Sequence, residues 1–260
     1  YTSPVVIRAI YNAVEKMGFQ SGNILEPSMG IGNFFGMLPD SMASSRLYGV
    51  ELDSITGRIA QKLYPQADIT VAGFETTDRR DFYDLAVGNV PFGQYKVSDK
   101  AYNKLGFSIH NYFFAKTIDQ IRPGGVIAFV TSRFTMDSKD STARKYMAER
   151  ADLLGAIRLP DNAFKATEVV SDIIFLQKRD RPADIEPAWV QLGQTEDGFS
   201  INQYFVSNPE MVLGNLELES TQYGHDLTVA PIEGANLADQ LTEAVQHIEG
   251  QYTAVEISTP

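Results

Sequence analysis

Asn89, Val90, Pro91 and Phe92 form a short stretch whose side chains suit a flat molecule that carries an amino group. The Asn89 amide can accept and donate hydrogen bonds, and the Phe92 ring offers a face for stacking. The stretch follows the apolar run of residues 85–87, which is typical of a strand buried on both faces. Ligands of open α/β sheets bind beyond the carboxyl ends of such strands. Taken alone, the tetrapeptide fits an ordinary proline turn slightly better than a binding turn.

A second stretch joins a predicted strand to a predicted helix, and its sequence is Glu26-Pro27-Ser28-Met29-Gly30-Ile31-Gly32-Asn33-Phe34. It does not match the dinucleotide fingerprint, because Phe35 stands where the third glycine belongs. The acid before the turn suits a cationic ligand such as S-adenosylmethionine, whose carboxylate could use backbone N–H groups. Glu51 ends the next predicted strand, where an acid binds ribose hydroxyls in nucleotide folds. Each of these residues alone could belong to a tight turn that binds no ligand. The two acids and two glycines occur together and in this order, so that explanation is improbable.

Apolar runs predict seven strands, near residues 23–27, 46–51, 68–72, 84–88, 126–131, 153–159 and 172–177. Helical periodicity predicts helices over residues 3–18, 53–63, 108–121 and 141–150, and one that starts near residue 33. Strands that alternate with helices imply an α/β fold with a doubly wound, mostly parallel sheet. The last two strands lack a long helix between them, so the seventh is expected to be antiparallel. An isolated strand over 189–192 and a helix over 236–248 are predicted beyond these.

The net charge of −11 is unevenly distributed along the 260 residues. Residues 182–260 contain 13 acidic residues and no lysine or arginine, so a nucleic-acid surface must lie in residues 1–181. We therefore predict one domain over 1–181 and an acidic extension, or a linker to a further domain, over 182–260. The chain begins at Tyr1 rather than Met, so we expect it to be part of a longer protein.

The chain has no cysteine, which excludes a cysteine nucleophile, thiolate metal ligands and disulfide bonds. His110, His225 and His247 do not have a metal-ligand spacing with acids, so we expect no metal site. The sequence contains no apolar run long enough to span a membrane and no signal-peptide pattern. A cytoplasmic protein without a membrane partner is therefore expected.

The two stretches resemble motifs of the S-adenosylmethionine-dependent N6-adenine DNA methyltransferases. The cofactor motif of that family, acid-Pro-x-x-Gly-x-Gly-x-Phe, is met by residues 26–34, and its catalytic motif, Asn or Asp-Pro-Pro-Tyr or Phe, is met by Asn89, Pro91 and Phe92. Residues 1–4 resemble the family's motif before the first helix, and the resemblance covers about residues 1–180. More narrowly, residues 88–93, 159–164 and 208–214 are similar to the methylase segment of large mobile-element proteins that join a methylase to a helicase.

The resemblance implies a class I methyltransferase (Rossmann-like) fold, S-adenosylmethionine as cofactor, and DNA and a fused or associated helicase domain as partners. It implies direct methyl transfer to the N6 amine of a flipped-out adenine, with Asn89, Val90, Pro91 and Phe92 as the catalytic turn. The cofactor-binding residues that it implies are Thr2, Glu26, Pro27, Gly30, Gly32, Asn33, Phe34, Glu51, Leu52, Phe74 and Asn89.

This sequence departs from the family pattern at two positions. Val90 replaces the first proline of the catalytic motif, although its backbone carbonyl is still available. Gly73 replaces the acid that often precedes the phenylalanine equivalent to Phe74, and Glu75 is a candidate substitute. Lys96, Lys100 and Lys104 follow the catalytic turn and either hold phosphates or form a solvated loop.

Two alternatives to a DNA adenine methyltransferase remain open at this point. One keeps the cofactor site and changes the acceptor to an RNA base or a protein glutamine. The other is a non-catalytic, methylase-like module of a larger mobile-element protein. A C5-cytosine methyltransferase is excluded, because that chemistry needs a cysteine nucleophile.

Overall fold

The computed structural model describes residues 2–91, 93, 96–164 and 169–253. Its helices are α1 (Pro4–Lys16), α2 (Asn33–Gly36), α3 (Ser54–Leu63), α4 (Ile109–Gln120), α5 (Phe134–Asp137), α6 (Thr142–Arg150), α7 (Gln203–Ser207) and α8 (Leu237–Val245). Its strands are β1 (Asn23–Glu26), β2 (Arg46–Glu51), β3 (Asp68–Val71), β4 (Tyr83–Asn89), β5 (Ile121–Ser132), β6 (Ala151–Arg158), β7 (Ser171–Lys178), β8 (Leu192–Gln194), β9 (Ser200–Asn202), β10 (Asn215–Thr221) and β11 (Gly224–Ala230).

Seven strands form one central sheet in the order β3-β2-β1-β4-β5-β7-β6. The first five of these run parallel to one another, and β7 is antiparallel to both β5 and β6. The predicted mostly parallel α/β sheet and its antiparallel seventh strand are therefore confirmed. Strands β4, β5 and β7 lie in the middle and are almost wholly buried, as their long apolar runs predict.

The connections reverse direction between β1 and β4. From β1 the chain moves outward to β2 and β3, and then returns to place β4 on the other side of β1. Such a switch point leaves a crevice at the carboxyl ends of the two strands, where α/β proteins bind ligands. Glu26 ends β1 and Asn89 ends β4, so the fold brings the two predicted motifs to this crevice.

The structure corrects two of the predicted boundaries. β5 begins at Ile121, directly after α4, and not at residue 126, because Ile121 pairs with Tyr83 and the ladder shifts register before it resumes at Val126. The predicted strand over 189–192 is wrong, since Ala188–Val190 is a short 3-10 helix with a strand starting only at Leu192. Trp189 and Val190 are buried, and apolar content alone could not distinguish a buried turn from a strand.

The described residues after 181 pack against the sheet domain. Val190, Phe205 and Met211 belong to the same hydrophobic core as the central strands. Helix α8 packs along α1, and Lys16 Nζ donates a hydrogen bond of 2.7 Å to the Gln246 carbonyl at its carboxyl end. The division at residue 181 stays a prediction, and these contacts connect the two sides of it. No helix in the described part of the chain is both long and apolar enough to cross a membrane.

Candidate active site

A cavity of about 390 Å³ lies at the switch point between β1 and β4. The residues predicted from the sequence that line it are Thr2, Glu26, Gly30, Asn33, Phe34, Glu51 and Asn89. Ser28, Met29 and Ile31 also line it, and they went unpredicted because, unlike the acid and the glycines of the same turn, their types carry no specific chemical signal. The cavity therefore joins the two motifs, which are more than 50 residues apart in the chain.

Six of the predicted site residues do not line the cavity, and one lies outside the described residues. The six are Pro27, Gly32, Leu52, Phe74, Val90 and Pro91. Phe92 falls in a gap of the description, so its predicted stacking role stays a prediction.

Glu26 is buried at the floor of the crevice, with only 2% of its surface exposed. Its Oε2 atom is buried and has no hydrogen-bond partner among the described residues. Burial, followed by the charge of the nearby Glu51, raises the pKa of the Glu26 carboxyl well above its ordinary value. A cation in the cavity would stabilise the ionised carboxylate and satisfy the unpaired oxygen. Glu26 therefore fits the positively charged part of S-adenosylmethionine.

The turn after β1 depends on two glycines for different reasons. Gly30 and Gly32 have φ angles of 55° and 92°, in the left-handed region that favours glycine. A Cβ atom at Gly30 would meet nothing within 4 Å, whereas one at Gly32 would lie 2.5 Å from the Tyr64 ring. Gly30 therefore keeps space open at the cavity, while Gly32 allows the turn to pack against Tyr64.

Glu51 connects the second strand to this turn. Its Oε2 accepts a hydrogen bond of 2.8 Å from the Gly30 N–H, and its Oε1 accepts one of 3.2 Å from the Asp53 N–H. The Gly30 N–H is therefore already paired and is not free for the ligand carboxylate that the sequence analysis assigned to this turn. Glu51 is partly exposed beside the cavity, where its remaining acceptor capacity can meet hydroxyl groups.

Asn89 is oriented by the residue that precedes α1. The Asn89 Nδ2 group donates a hydrogen bond of 3.2 Å to Thr2 Oγ1, and Thr2 is itself buried. No described residue donates to Asn89 Oδ1, so this oxygen is the acceptor that the side chain can offer to a ligand. The predicted cofactor residue Thr2 thus acts on the catalytic turn as well as on the cavity wall.

Val90 has a structural reason to replace proline. Its side chain is 1% exposed, and its N–H donates a hydrogen bond of 3.0 Å to the Val130 carbonyl of β5. Proline has no N–H and would lose this bond. Val90 therefore continues the hydrogen bonding between β4 and β5 one residue past Asn89, and Pro91 follows in a half-buried position.

Phe74 lies in an aromatic cluster rather than at the cavity. It is 3% exposed, its ring centroid lies 4.7 Å from that of Phe113, and Lys116 Nζ lies 5.2 Å above it. The Glu75 carboxylate folds over Gly73 and occupies the space in which a side chain at that position would begin. Leu52, another of the predicted cofactor-binding residues, is 69% exposed.

Tyr11 supports the site from behind and carries no signal in the sequence beyond its helical position. Its hydroxyl donates a hydrogen bond of 2.6 Å to the Phe34 carbonyl at the start of α2. Burial, and then the neighbouring Glu26, raise the pKa of the Tyr11 hydroxyl, so it stays a donor. Tyr11 therefore fixes the helix end that forms one wall of the cavity.

The loop after the predicted catalytic turn carries three lysines without an ion-pair partner among the described residues. Lys96, Lys100 and Lys104 are exposed, and the ion pairs formed among the described residues include none of them. No group of three or more histidine, aspartate and glutamate side chains in the described part of the chain could hold a metal ion.

Comparison with known proteins places the sequence in a family. The family model for N-6 DNA methylases matches residues 1–192. The chain belongs to this family. The N-6 DNA methylase chain is 31% identical over 194 residues to the Defense against restriction protein B of Escherichia phage P1, covering 71% of the chain and 8% of that protein. It is 28% identical over 185 residues to the Type II methyltransferase M.CvrRI of Paramecium bursaria Chlorella virus XZ-6E, covering 69% of the chain and 48% of that protein.

The fold of this N-6 DNA methylase chain is that of a class I methyltransferase. A structure described as a candidate class I S-adenosylmethionine-dependent methyltransferase of Listeria monocytogenes superposes with a TM-score of 0.60 at 20% identity, covering 72% of this chain and 62% of that one. The predicted fold class is confirmed by this likeness. The chain spans less than half the length of the two curated relatives that it matches.

Proposed function

We propose that this chain is a methyltransferase domain that transfers a methyl group from S-adenosylmethionine to the N6 amine of adenine in DNA. The observation that carries the proposal is the single cavity lined by both Glu26 and Asn89, at the switch point of the sheet. Membership of the N-6 DNA methylase family supports the same reaction.

The cofactor, when bound, supplies an electrophilic methyl group. Glu26 would hold its positive charge, and Glu51 would accept hydrogen bonds from its ribose hydroxyls. Gly30 would leave room for it, because no atom lies within 4 Å of the position of a Cβ there. Asn33 and Phe34, at the start of α2, would complete the wall.

Asn89 and Val90 would prepare the acceptor amine. The lone pair of an exocyclic amine is conjugated with its ring, so the amine is a poor nucleophile while it stays planar. Acceptors at Asn89 Oδ1 and the Val90 carbonyl would take its two hydrogens and favour a pyramidal nitrogen aligned with the methyl group. Thr2 positions the Asn89 amide through its hydrogen bond of 3.2 Å.

An adenine within a duplex must leave the base stack to reach this cavity, at a cost of a few kcal/mol. Phe92 would stack on the extruded base, and Lys96, Lys100 and Lys104 would hold the neighbouring phosphates. Sequence recognition and any helicase activity would come from parts of the longer protein or from a partner. This arrangement accords with the chain's matching only 8% of the phage P1 protein.

Substitution of Asn89 tests the proposal. Asn89→Ala removes an interaction that matters in the transition state, so the single-turnover rate should fall about a hundredfold or more while cofactor affinity stays unchanged. Asn89→Asp keeps an acceptor at the same position and should recover part of the rate. The measurement is transfer of a labelled methyl group to adenine-containing DNA at saturating cofactor, with the modified nucleoside identified afterwards.

Parallel reactions with RNA and with glutamine-containing protein separate the alternative acceptors. Transfer to either of these, without transfer to DNA, would replace the proposed substrate. Cofactor binding measured by calorimetry separates a non-catalytic module, because a chain that neither binds S-adenosylmethionine nor transfers methyl groups would overturn the enzyme assignment. Equal rates for Asn89→Ala and the wild type would make the turn structural.

A further inference from the structure

A second cavity, of about 400 Å³, lies at the carboxyl edge of the sheet, just past the end of β5. The amino ends of α4, α5 and α6 surround it, and its walls include Phe107, Ser108, His110, Asn111, Phe134 and Thr142. These helix ends all lie at the carboxyl edge of the sheet, because α4 leads into β5 and α5 follows it. None of these residues lines the cofactor cavity, and none takes part in the proposed transfer.

The position of Phe134 relates this cavity to the catalytic turn. Asn89 pairs with Val130 of β5, and Phe134 comes four residues later, just past the end of that strand. At about 3.3 Å per residue, the two strand residues after Val130 place the end of β5 roughly 7 Å past the residue that pairs with Asn89, and the helix with Phe134 follows. A nucleotide adjacent to one held at Asn89 can reach that far along its strand.

Two buried polar atoms at this cavity lack partners. His110 Nδ1 and Asn111 Oδ1 have no hydrogen-bond partner among the described residues, and the other ring nitrogen of His110 lies 3.1 Å from Ser108 Oγ. Burial lowers the pKa of His110, so the ring is neutral and offers one donor and one acceptor nitrogen. Both atoms are buried in this structure, so a ligand pairs with them only after a side-chain rotation, and the pairing then removes the cost of the unpaired groups. An imidazole beside an amide matches the donor and acceptor pattern of a nucleobase edge.

The same cavity has an exposed aromatic wall and a negative charge. Phe134 is 42% exposed, and the Arg133 guanidinium lies 4.5 Å from its ring centroid. Asp140 accepts hydrogen bonds from Thr142, which lower the pKa of its carboxyl, so Asp140 stays ionised. An ionised carboxylate disfavours a phosphate, whereas the exposed part of the Phe134 ring that Arg133 does not cover suits a base. The lining therefore selects a heterocycle over the backbone of a nucleic acid.

We propose that this cavity holds the nucleobase next to the target base on the same strand. The base stacks on Phe134 and forms hydrogen bonds with His110 and Asn111. The proposal rests on the proposed function, since it needs a strand whose target base lies at Asn89. It assigns a specificity contact to the base beside the methylated one.

The test removes one base at a time from a single-stranded oligonucleotide with one adenine. Binding to the cofactor-loaded protein is measured by fluorescence anisotropy for an intact strand and for strands with an abasic site at each flanking position. One flanking abasic site should weaken binding to the wild type at least fivefold, the lower end expected for a lost stacking contact. Phe134→Ala should show the same loss with the intact strand and almost no further loss with that abasic strand. Tyr223→Ala, which removes another exposed aromatic ring, should bind like the wild type.

The proposal is overturned if the wild type binds every abasic strand as tightly as the intact strand. It is also overturned if the abasic site reduces the affinity of Phe134→Ala by the same factor as that of the wild type. Phe134→Leu, which keeps an apolar side chain, replaces Phe134→Ala if the alanine variant fails to fold. The leucine variant should still lose most of the affinity that stacking on Phe134 contributes. KM for the intact strand should rise in either variant with kcat little changed. Binding is measured without chemistry, so an absence of methyl transfer by the wild type would count against the proposed function and not against this contact.

Discussion

Glu26 and Gly30 face the same cavity and contribute to it through different properties. Glu26 contributes a buried carboxyl group whose Oε2 has no hydrogen-bond partner among the described residues, and Gly30 contributes the absence of a side chain. The first property makes ligand binding depend on pH, and the second makes it depend on the size of the side chain at position 30. Each can be changed without disturbing the other.

The raised pKa of Glu26 predicts a pH-dependent cofactor affinity. A raised pKa means that the free protein holds a proton on this carboxyl above the ordinary glutamate range near 4.3. A cationic ligand prefers the carboxylate, so binding releases that proton and tightens as pH rises, by at most about tenfold per pH unit. The trend should end once pH passes the raised pKa, and Glu26→Gln should bind more weakly with a flat profile. Calorimetric titration in buffers of different ionisation enthalpy measures the number of protons released on cofactor binding. A cofactor affinity of the wild type that does not change with pH would contradict the role of Glu26.

Gly30→Ala should weaken cofactor binding at least tenfold. The added methyl group enters space where no protein atom lies within 4 Å, and a bound ligand would meet it. The left-handed backbone adds a cost of about 1–2 kcal/mol to folding. Gly234→Ala is the matched control, because Gly234 also has a positive φ and open space around a Cβ. We expect the two variants to be destabilised by similar amounts and only Gly30→Ala to lose cofactor binding. Unchanged cofactor affinity in Gly30→Ala would mean that the ligand does not approach this turn.

At the scale of elements, the parallel half of the sheet was predictable and the segments after β7 were less so. Strands β1, β2 and β4 carry apolar runs that end in a glycine or an acid, and the order of the motifs fixes them at one edge. The hairpin of β10 and β11 has no such apolar run, because Glu217 and Glu219 alternate with Leu216, which is half-buried, and Leu218, which is 64% exposed. Phe74 shows that the same is true of a predicted site residue. Its place in the motif can be recognised from the sequence, but its packing against Phe113 determines where the ring lies.

A buried ion-pair network holds three elements together and could not be read from sequence spacing. Arg158 of β6 pairs with Asp172 of β7 at 2.9 Å and with Asp137 of α5 at 2.6 Å, and all three side chains are at most 1% exposed. The Arg158 carbonyl also accepts a hydrogen bond of 2.9 Å from the Leu213 N–H, which ties in the segment after 181. The network therefore connects strands β6 and β7, at the end of the sheet, to the segment after residue 181.

Arg158→Met should lower the free energy of unfolding by about 3–5 kcal/mol, because it leaves the buried Asp172 carboxylate without its cation and Asp137 with Arg133 alone, 3.3 Å away. Lys145→Met removes a cation of an exposed pair, 3.5 Å from Glu149, and should cost less than about 1 kcal/mol. Urea unfolding followed by circular dichroism measures both variants. Equal stability of the two would show that the Arg158 network contributes little beyond its apolar stem.

At the scale of the whole molecule, the basic residues are confined to the first part of the chain and the segment after residue 181 is acidic. All 22 lysines and arginines lie in residues 1–181, and 13 acids with no lysine or arginine follow. Deleting residues 182–260 would not test their effect on DNA binding, because Val190 and Phe205 are part of the core. Substitutions that change surface charge alone are the better test of which face meets DNA.

Replacing Lys96, Lys100 and Lys104 together by alanine should weaken DNA binding and reduce its dependence on salt. All three are exposed beside the catalytic turn, and each phosphate contact that is lost lowers the slope of log K against log salt by about 0.9 on duplex DNA. The control is Arg46→Ala, Arg58→Ala and Lys62→Ala, which removes the same charge from the start of β2 and from α3. The control should keep most of the slope, because Arg46 and Lys62 lie at the opposite edge of the sheet. Equal slopes for the two triple variants, from fluorescence anisotropy at several salt concentrations, would mean that DNA is attracted by overall charge and not by this loop.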